Sequence, residues 1–233
     1  MNDLTPPASP EPEPGDDLAT NRPGHELRQK SAQLRQAHPV LALIGRVFNV
    51  HNNERAWSKG AKGEEDVARR LHKLGEGWKV LHGVPVGNGD SDIDHVVIGP
   101  AGVFTINTKN HLGGRVSVND KAIYVNGKFR PYLRNSRFEG QRASKLLTSS
   151  YGFGVNARPV IVVMADSLTV KEQPEGIHVV GRKKVAQWLS GEPVILEPDA
   201  VEAIYAIARR RQTWQPRPDT SDKENARHAA AES

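Results

Sequence analysis

The chain has 233 residues, 37% hydrophobic and 25% charged, enough for one domain with a core plus polar extensions. It has no cysteine, which excludes disulfides and thiolate metal sites and fits a reducing, cytoplasmic location. The net charge of +5 is unevenly spread: residues 1–24 hold five acids against one arginine, residues 212–233 four acids against three bases, and the body between them carries +10. A basic body with an acidic tail points to a polyanionic partner.

Residues 1–24 are rich in Pro, Glu and Asp and lack the apolar surface to offset ordering entropy, so they read as a disordered acidic tail. Their opening lacks the basic start and apolar run of a signal peptide. No apolar run approaches the ~18 residues of a membrane span. Residues 25–56 read as a helical extension, with a polar helix over 25–36 and a packing helix over 39–50. The domain proper is expected over 57–211. Its first helix, "KGAKGEEDVARRLHKLG", places Val67, Leu71 and Leu74 at helical spacing. On this reading Glu64 and Glu65 lie in the first turn, where acids favour the helix dipole.

Strands follow at "WKVLHGVPV", "DIDHVVIG" and "GVFTINTK", the last two joined by "GPAG". "RVSVND" and "KAIYVNG" read as a further hairpin turning at Asn119-Asp120. "RFEGQRASKLLTSS" is a helix with Ala143, Leu146 and Leu147 inward. "RPVIVVMA" and "GIHVVG" are later strands, and "RKKVAQWLSG" and "PDAVEAIYAIARRR" later helices. Arg209, Arg210 and Arg211 end the last helix, where cations suit the dipole. Trp57 and Trp78 flank the first helix, Trp188 faces the core, and Trp214 is the aromatic expected at the surface. Residues 212–233 read as a second disordered tail.

One stretch stands out. "TINTKN" ends a core strand with Asn107 and Lys109 two apart, hence on one face. If Ile98 faces Val103 across the hairpin, Asp94 falls opposite Asn107 and Asp92 opposite Lys109, all on that face. Such a cluster suits metal-assisted phosphodiester hydrolysis, because Mg²⁺ or Mn²⁺ takes oxygen ligands and a neighbouring lysine can serve the attacking water. It also suits a cross-strand ion pair between Asp92 and Lys109. His95, on the opposite face, reads as a packed residue rather than a ligand. Arg137, Gln141 and Lys145 recur at four-residue spacing, with Arg142 beside them, and make either a phosphate-contacting stripe or a solvated face. "GAKG" lacks the strand before it and the Lys-Ser/Thr after it that a nucleotide-binding loop requires.

"WSKGAKGEEDVARRL" and "IDHVVIGPAGVFTINTKN" together resemble the nuclease-related domain, a branch of the restriction-endonuclease-like superfamily, from about Trp57 to Leu147. The resemblance implies an α/β fold with a restriction-endonuclease-like core: a mixed central sheet whose β-hairpin carries the site, flanked by helices. It implies a metal-dependent nuclease acting on DNA, with Mg²⁺ or Mn²⁺. Carried over, the site is Glu64 on the first helix, Asp94 on the second strand, Asn107 with Lys109 on the third, and Gln141 on the next helix. Arg137, Arg142 and Lys145 would contact nucleic acid. The departure is Asn107, where the pattern has an acid. An amide oxygen can coordinate a hard cation but brings no charge. Either Asp92 or Glu64 supplies the missing carboxylate, or the fold is kept for nucleic-acid binding alone, or the domain docks a protein partner. The sequence leaves the oligomeric state open.

Overall fold

The computed structural model describes residue 12 and residues 15–24, 50–87 and 92–215, with side chains from residue 60 onward in the first helix. The helices read over 25–36 and 39–50, the side chain of Trp57 and the tail beyond 215 lie outside the described residues. The chain is a mixed α/β fold with one seven-stranded sheet. Its elements are helix α1 (Val50–Leu71), strands β1 (Lys79–Pro85), β2 (Asp92–Gly99), β3 (Gly102–Val118), β4 (Ile123–Val125) and β5 (Lys128–Arg130), helix α2 (Tyr132–Tyr151), strands β6 (Ala157–Val170) and β7 (His178–Gly181), and helices α3 (Val185–Gly191), α4 (Pro198–Ala208) and α5 (Arg211–Trp214).

β3 is the axis of the sheet. Its first half runs antiparallel to β2, with Ile98 opposite Val103 as the hairpin reading expects, and β2 runs antiparallel to β1. Its second half runs antiparallel to β4, and β6 lies parallel to it along nearly its whole length. The two strands expected at 102–109 and 115–120 are therefore one. The ladder with β6 slips between His111 and Arg115, where Gly113 at φ +86° adopts a backbone open to glycine.

Alternation along the strands feeds the two faces of the sheet. Val96, Ile98 and Val103 pack with Ala143 and Leu147 of α2 and Val201 and Ile204 of α4. Val97, Phe104 and Ile106 pack on the other face with Val67 and Leu71 of α1 and Val185 and Leu189 of α3. This matches the mixed sheet flanked by helices that the resemblance implies. Trp188 packs on the second face beside that cluster, with its ring edge-on to Phe104.

The tail boundaries differ from the composition-based expectation. Leu18 is 1% exposed, Asp17 is held by Arg209, and Leu18 N–H donates to the Arg209 carbonyl at 2.7 Å. Residues 15–24 are thus a strap on the body, and an apolar anchor with an ion pair supplies what their composition lacks. Arg209 serves this contact as well as a helix end. At the other terminus Trp214 is 0% exposed and its indole N–H donates to the Ala208 carbonyl at 2.7 Å. The aromatic expected at the surface is a core residue.

His95 is buried, as its position on the packed face requires, and its Nδ1 lies 2.9 Å from Nδ1 of His82 across the β1–β2 pair. Burial drives the His82 pKa down to about 4 and that of His95 well below its ordinary value. A His whose folded pKa lies below its unfolded one binds fewer protons when folded. Its stabilising contribution is full above about pH 6.5 and is lost as pH falls toward 4. Wild type should therefore lose about 2 kcal/mol relative to His82→Gln between pH 7 and pH 5, measured as the difference between their urea unfolding free energies.

Candidate active site

The site forms where β2 begins and β3 runs on past it, with α1 on one face of the sheet and α2 on the other. α1 presents Ala61, Glu64, Val67, Ala68 and Leu71 on one buried stripe, the i, i+3, i+7 pattern of a helix face. Glu64 shares that stripe and is 9% exposed. α1 begins at Val50, so Glu64 and Glu65 lie about four turns into it, and the helix-dipole account of both does not hold. A close approach explains the neighbouring glycine. A Cβ at Gly63 would stand 3.1 Å from Asn110 Cβ and 3.4 Å from Met164 Sδ.

The backbone ladder between β2 and β3 is paired as far as His95–Ile106. Beyond it the Asp94 carboxylate takes over the contact, accepting the Thr108 backbone N–H at 2.6 Å. Asn107 is 7% exposed. Its Nδ2 donates to both carboxylate oxygens of Glu139 at 2.8 Å. Its Oδ1 is buried without a hydrogen-bond partner among the described residues. Asp92 stands opposite Pro85 of β1, and its charge acts on Glu64. Lys109 Nζ lies 5.0 Å from the centre of the Tyr132 ring, a cation–π contact that fixes the ammonium over the start of α2. Tyr132 is stacked with His111 and its hydroxyl is 3.0 Å from His111 Nε2.

The electrostatics tie these groups together. Burial first, then Asp94 and Asp92, push the Glu64 carboxyl up to about 9, against the Gly24 N–H and Lys109, which lower it. Burial raises Asp94, against Lys109 and the Thr108 N–H. Burial and Asp94 raise Glu139, against Asn107 and Lys109. One lysine thus faces several carboxylates that repel one another, and the cluster has more negative charge than it can hold unaided.

Sequence reasoning misses Glu139. α2 buries Leu133, Ser136, Gly140, Ala143 and Leu147, and Glu139 lies three residues after Ser136 and four before Ala143, on the stripe's edge. That spacing is the signal. Gln141, expected in the site, is exposed and lies about 200° around the helix from Glu139. Of the three residues expected to touch nucleic acid, Arg137 donates to the Glu175 carbonyl, Arg142 lies against Gly87, and Lys145 is exposed.

An N-terminal strap closes one side. Gly24 N–H donates to Glu64 Oε2 at 3.1 Å. Gly24 has φ +68°, and a Cβ there would meet Ala61 Cβ at 2.9 Å. Gly24→Ala should cost about 1–3 kcal/mol in backbone strain and release the strap, seen as faster amide exchange at residues 17–24 with the core amides unchanged.

A hard divalent cation fits the donor set. Every candidate ligand is an oxygen, and the unpartnered Asn107 Oδ1 is one a cation could take. Among the described residues no group of three or more His, Asp or Glu side chains is placed to hold a metal ion. Mg²⁺ characteristically uses one or two carboxylates together with water and substrate phosphate.

Residues 59–164 match the family model of the nuclease-related domain. Among curated proteins, an uncharacterized protein of Bacillus anthracis is 42% identical over 76 residues, 31% of this chain and 36% of that protein. The chain therefore spans about a third of the length of that relative. No solved structure matches the chain. Among the described residues no helix is long and apolar enough to cross a membrane.

Proposed function

Residues 59–164 belong to the nuclease-related domain family, and from that premise we propose that the chain is a metal-dependent nuclease hydrolysing DNA phosphodiester bonds, with Glu139 standing in for the acid that Asn107 replaces. The observation that carries this reading is the paired hydrogen bond from Asn107 Nδ2 to both oxygens of Glu139. It brings a carboxylate from the neighbouring helix to the strand position where the family pattern has its own.

In this reading Asp94, Glu139 and Asn107 Oδ1 hold Mg²⁺ or Mn²⁺, with Glu64 and Asp92 as the flanking carboxylates. The metal, when bound, polarises a phosphoryl oxygen and makes a bound water more acidic. Asp94 is fixed by the Thr108 N–H, so its oxygens are placed before substrate arrives. Asn107 orients Glu139 by donating to it. Lys109, braced on Tyr132, offers its ammonium to the attacking water and to charge gathering on the phosphate. Gln141 lies outside this arrangement and is left to the outer face of α2.

A second reading, a catalytically silent nucleic-acid-binding module, draws on the neutral Asn107 itself. Cleavage of plasmid and single-stranded DNA with Mn²⁺, comparing wild type with Lys109→Ala, separates the two. The nuclease reading expects cleavage that the variant loses. No cleavage by folded wild type favours the silent module.

A further inference from the structure

The small hairpin β4–β5 and the first turns of α2 enclose a cleft of about 210 Å³ lined by Lys121, Phe129, Arg130, Leu133, Arg134 and Arg137. Its charge is basic, and Arg130 and Arg134 make no ion pair among the described residues. Lys121 has Asp120 at 4.0 Å, and Arg137 spends one N–H on the Glu175 carbonyl. Phe129 is 59% exposed on a strand whose three residues are all exposed. Tyr124 meets its ring edge-on at 6.3 Å, which leaves a ring face to solvent. An exposed aromatic ring beside a basic groove is the pairing that single-stranded nucleic-acid sites use.

The cleft and the candidate site both draw on the start of α2. Tyr132, which braces Lys109, immediately precedes Leu133 and Arg134 of the cleft wall. At 1.5 Å per helical residue, Arg134 lies about 7.5 Å along α2 from Glu139.

We propose that this hairpin and the start of α2 form a platform for single-stranded nucleic acid, with a base stacked on Phe129 and flanking phosphates on Arg130, Arg134 and Lys121. The inference rests on the nucleic-acid reading of the adjoining site and names its substrate class. A single strand fits because its bases expose their faces, whereas a duplex offers phosphates and groove edges but no free base face to an aromatic ring. Stacking tolerates any base, so the platform is indifferent to sequence. It delivers the strand past Tyr132 to Lys109 and Glu139.

The test is binding of a fluorescent 12-nucleotide single strand, DNA or RNA, and of the matching DNA duplex to the full chain in EDTA, where cleavage is blocked. Phe129→Ala should weaken single-strand binding about tenfold with both sugars and leave duplex binding unchanged. Arg134→Gln should weaken binding of both and flatten the salt dependence. Unchanged single-strand affinity in Phe129→Ala overturns the platform. So does an equal loss on the duplex, or no single-strand binding by wild type. Mn²⁺-dependent cleavage is scored in parallel. Cleavage with no effect of Phe129→Ala on binding removes the platform and keeps the nuclease. Binding with the predicted pattern but no cleavage does the reverse.

Discussion

Glu139→Gln should lower Mn²⁺-dependent cleavage by about 10²–10³-fold, the range seen when one preorganised electrostatic contact is removed from an active site. The substitution keeps size and hydrogen-bonding shape and deletes charge. Glutamine can still accept from Asn107 Nδ2 through its amide oxygen, so the local fold should hold. The carboxylate, however, is what Asn107 cannot provide. Restoring the acid on the strand, as Asn107→Glu in the Glu139→Gln background, should recover a large part of the activity. Asn107→Glu alone should not, because two carboxylates at hydrogen-bond distance would repel each other in a half-buried site. Single-turnover cleavage of a labelled oligonucleotide by the three variants and wild type reads all of this. Full activity in Glu139→Gln would remove Glu139 from the site.

Trp214→Ala should cost about 3–5 kcal/mol of folding free energy, the usual loss for a buried Trp or Phe cut to Ala. Trp214 is fully buried in the cluster that holds Leu18, Leu81, Val84 and Ala208. Its N–H satisfies the Ala208 carbonyl at the end of α4, and its own carbonyl accepts the Gly87 N–H at 2.9 Å. Truncation therefore opens a cavity and leaves a buried acceptor unpaired. A change in urea midpoint equivalent to under 0.5 kcal/mol, the ordinary range for a surface residue, would mean that residues 211–215 are not docked in solution.

These two residues also show where the sequence is readable. The hairpin register follows from alternation and from the short "GPAG" turn, and the structure pairs Ile98 with Val103 accordingly. Asp94, Asn107 and Lys109 are legible for the same reason: a strand fixes the side of every second residue. Glu139 is not, because its neighbours are Arg137, Gln141 and Arg142 and it reads as one more charge on a solvated helix. Only the docking of α2, with Gly140 packed against the Ala157 carbonyl and Pro159, turns it toward Asn107. Trp214 and the strap fail for a different reason. Local composition describes a segment by itself, whereas Leu18 and Trp214 are buried by surfaces that residues far along the chain supply. The helix-dipole account of Glu64 fails because the start of α1 lies before the resemblance begins, and its apolar stripe carries no mark of where it starts.

The most direct test of the central claim is Mn²⁺ binding by wild type and Asp94→Asn, titrated by calorimetry in the absence of nucleic acid. An oxygen-ligand site built on Asp94, Glu139 and Asn107 predicts saturable binding by wild type that Asp94→Asn weakens at least tenfold while its melting temperature is kept. Equal binding by both proteins, or none by folded wild type, would contradict it.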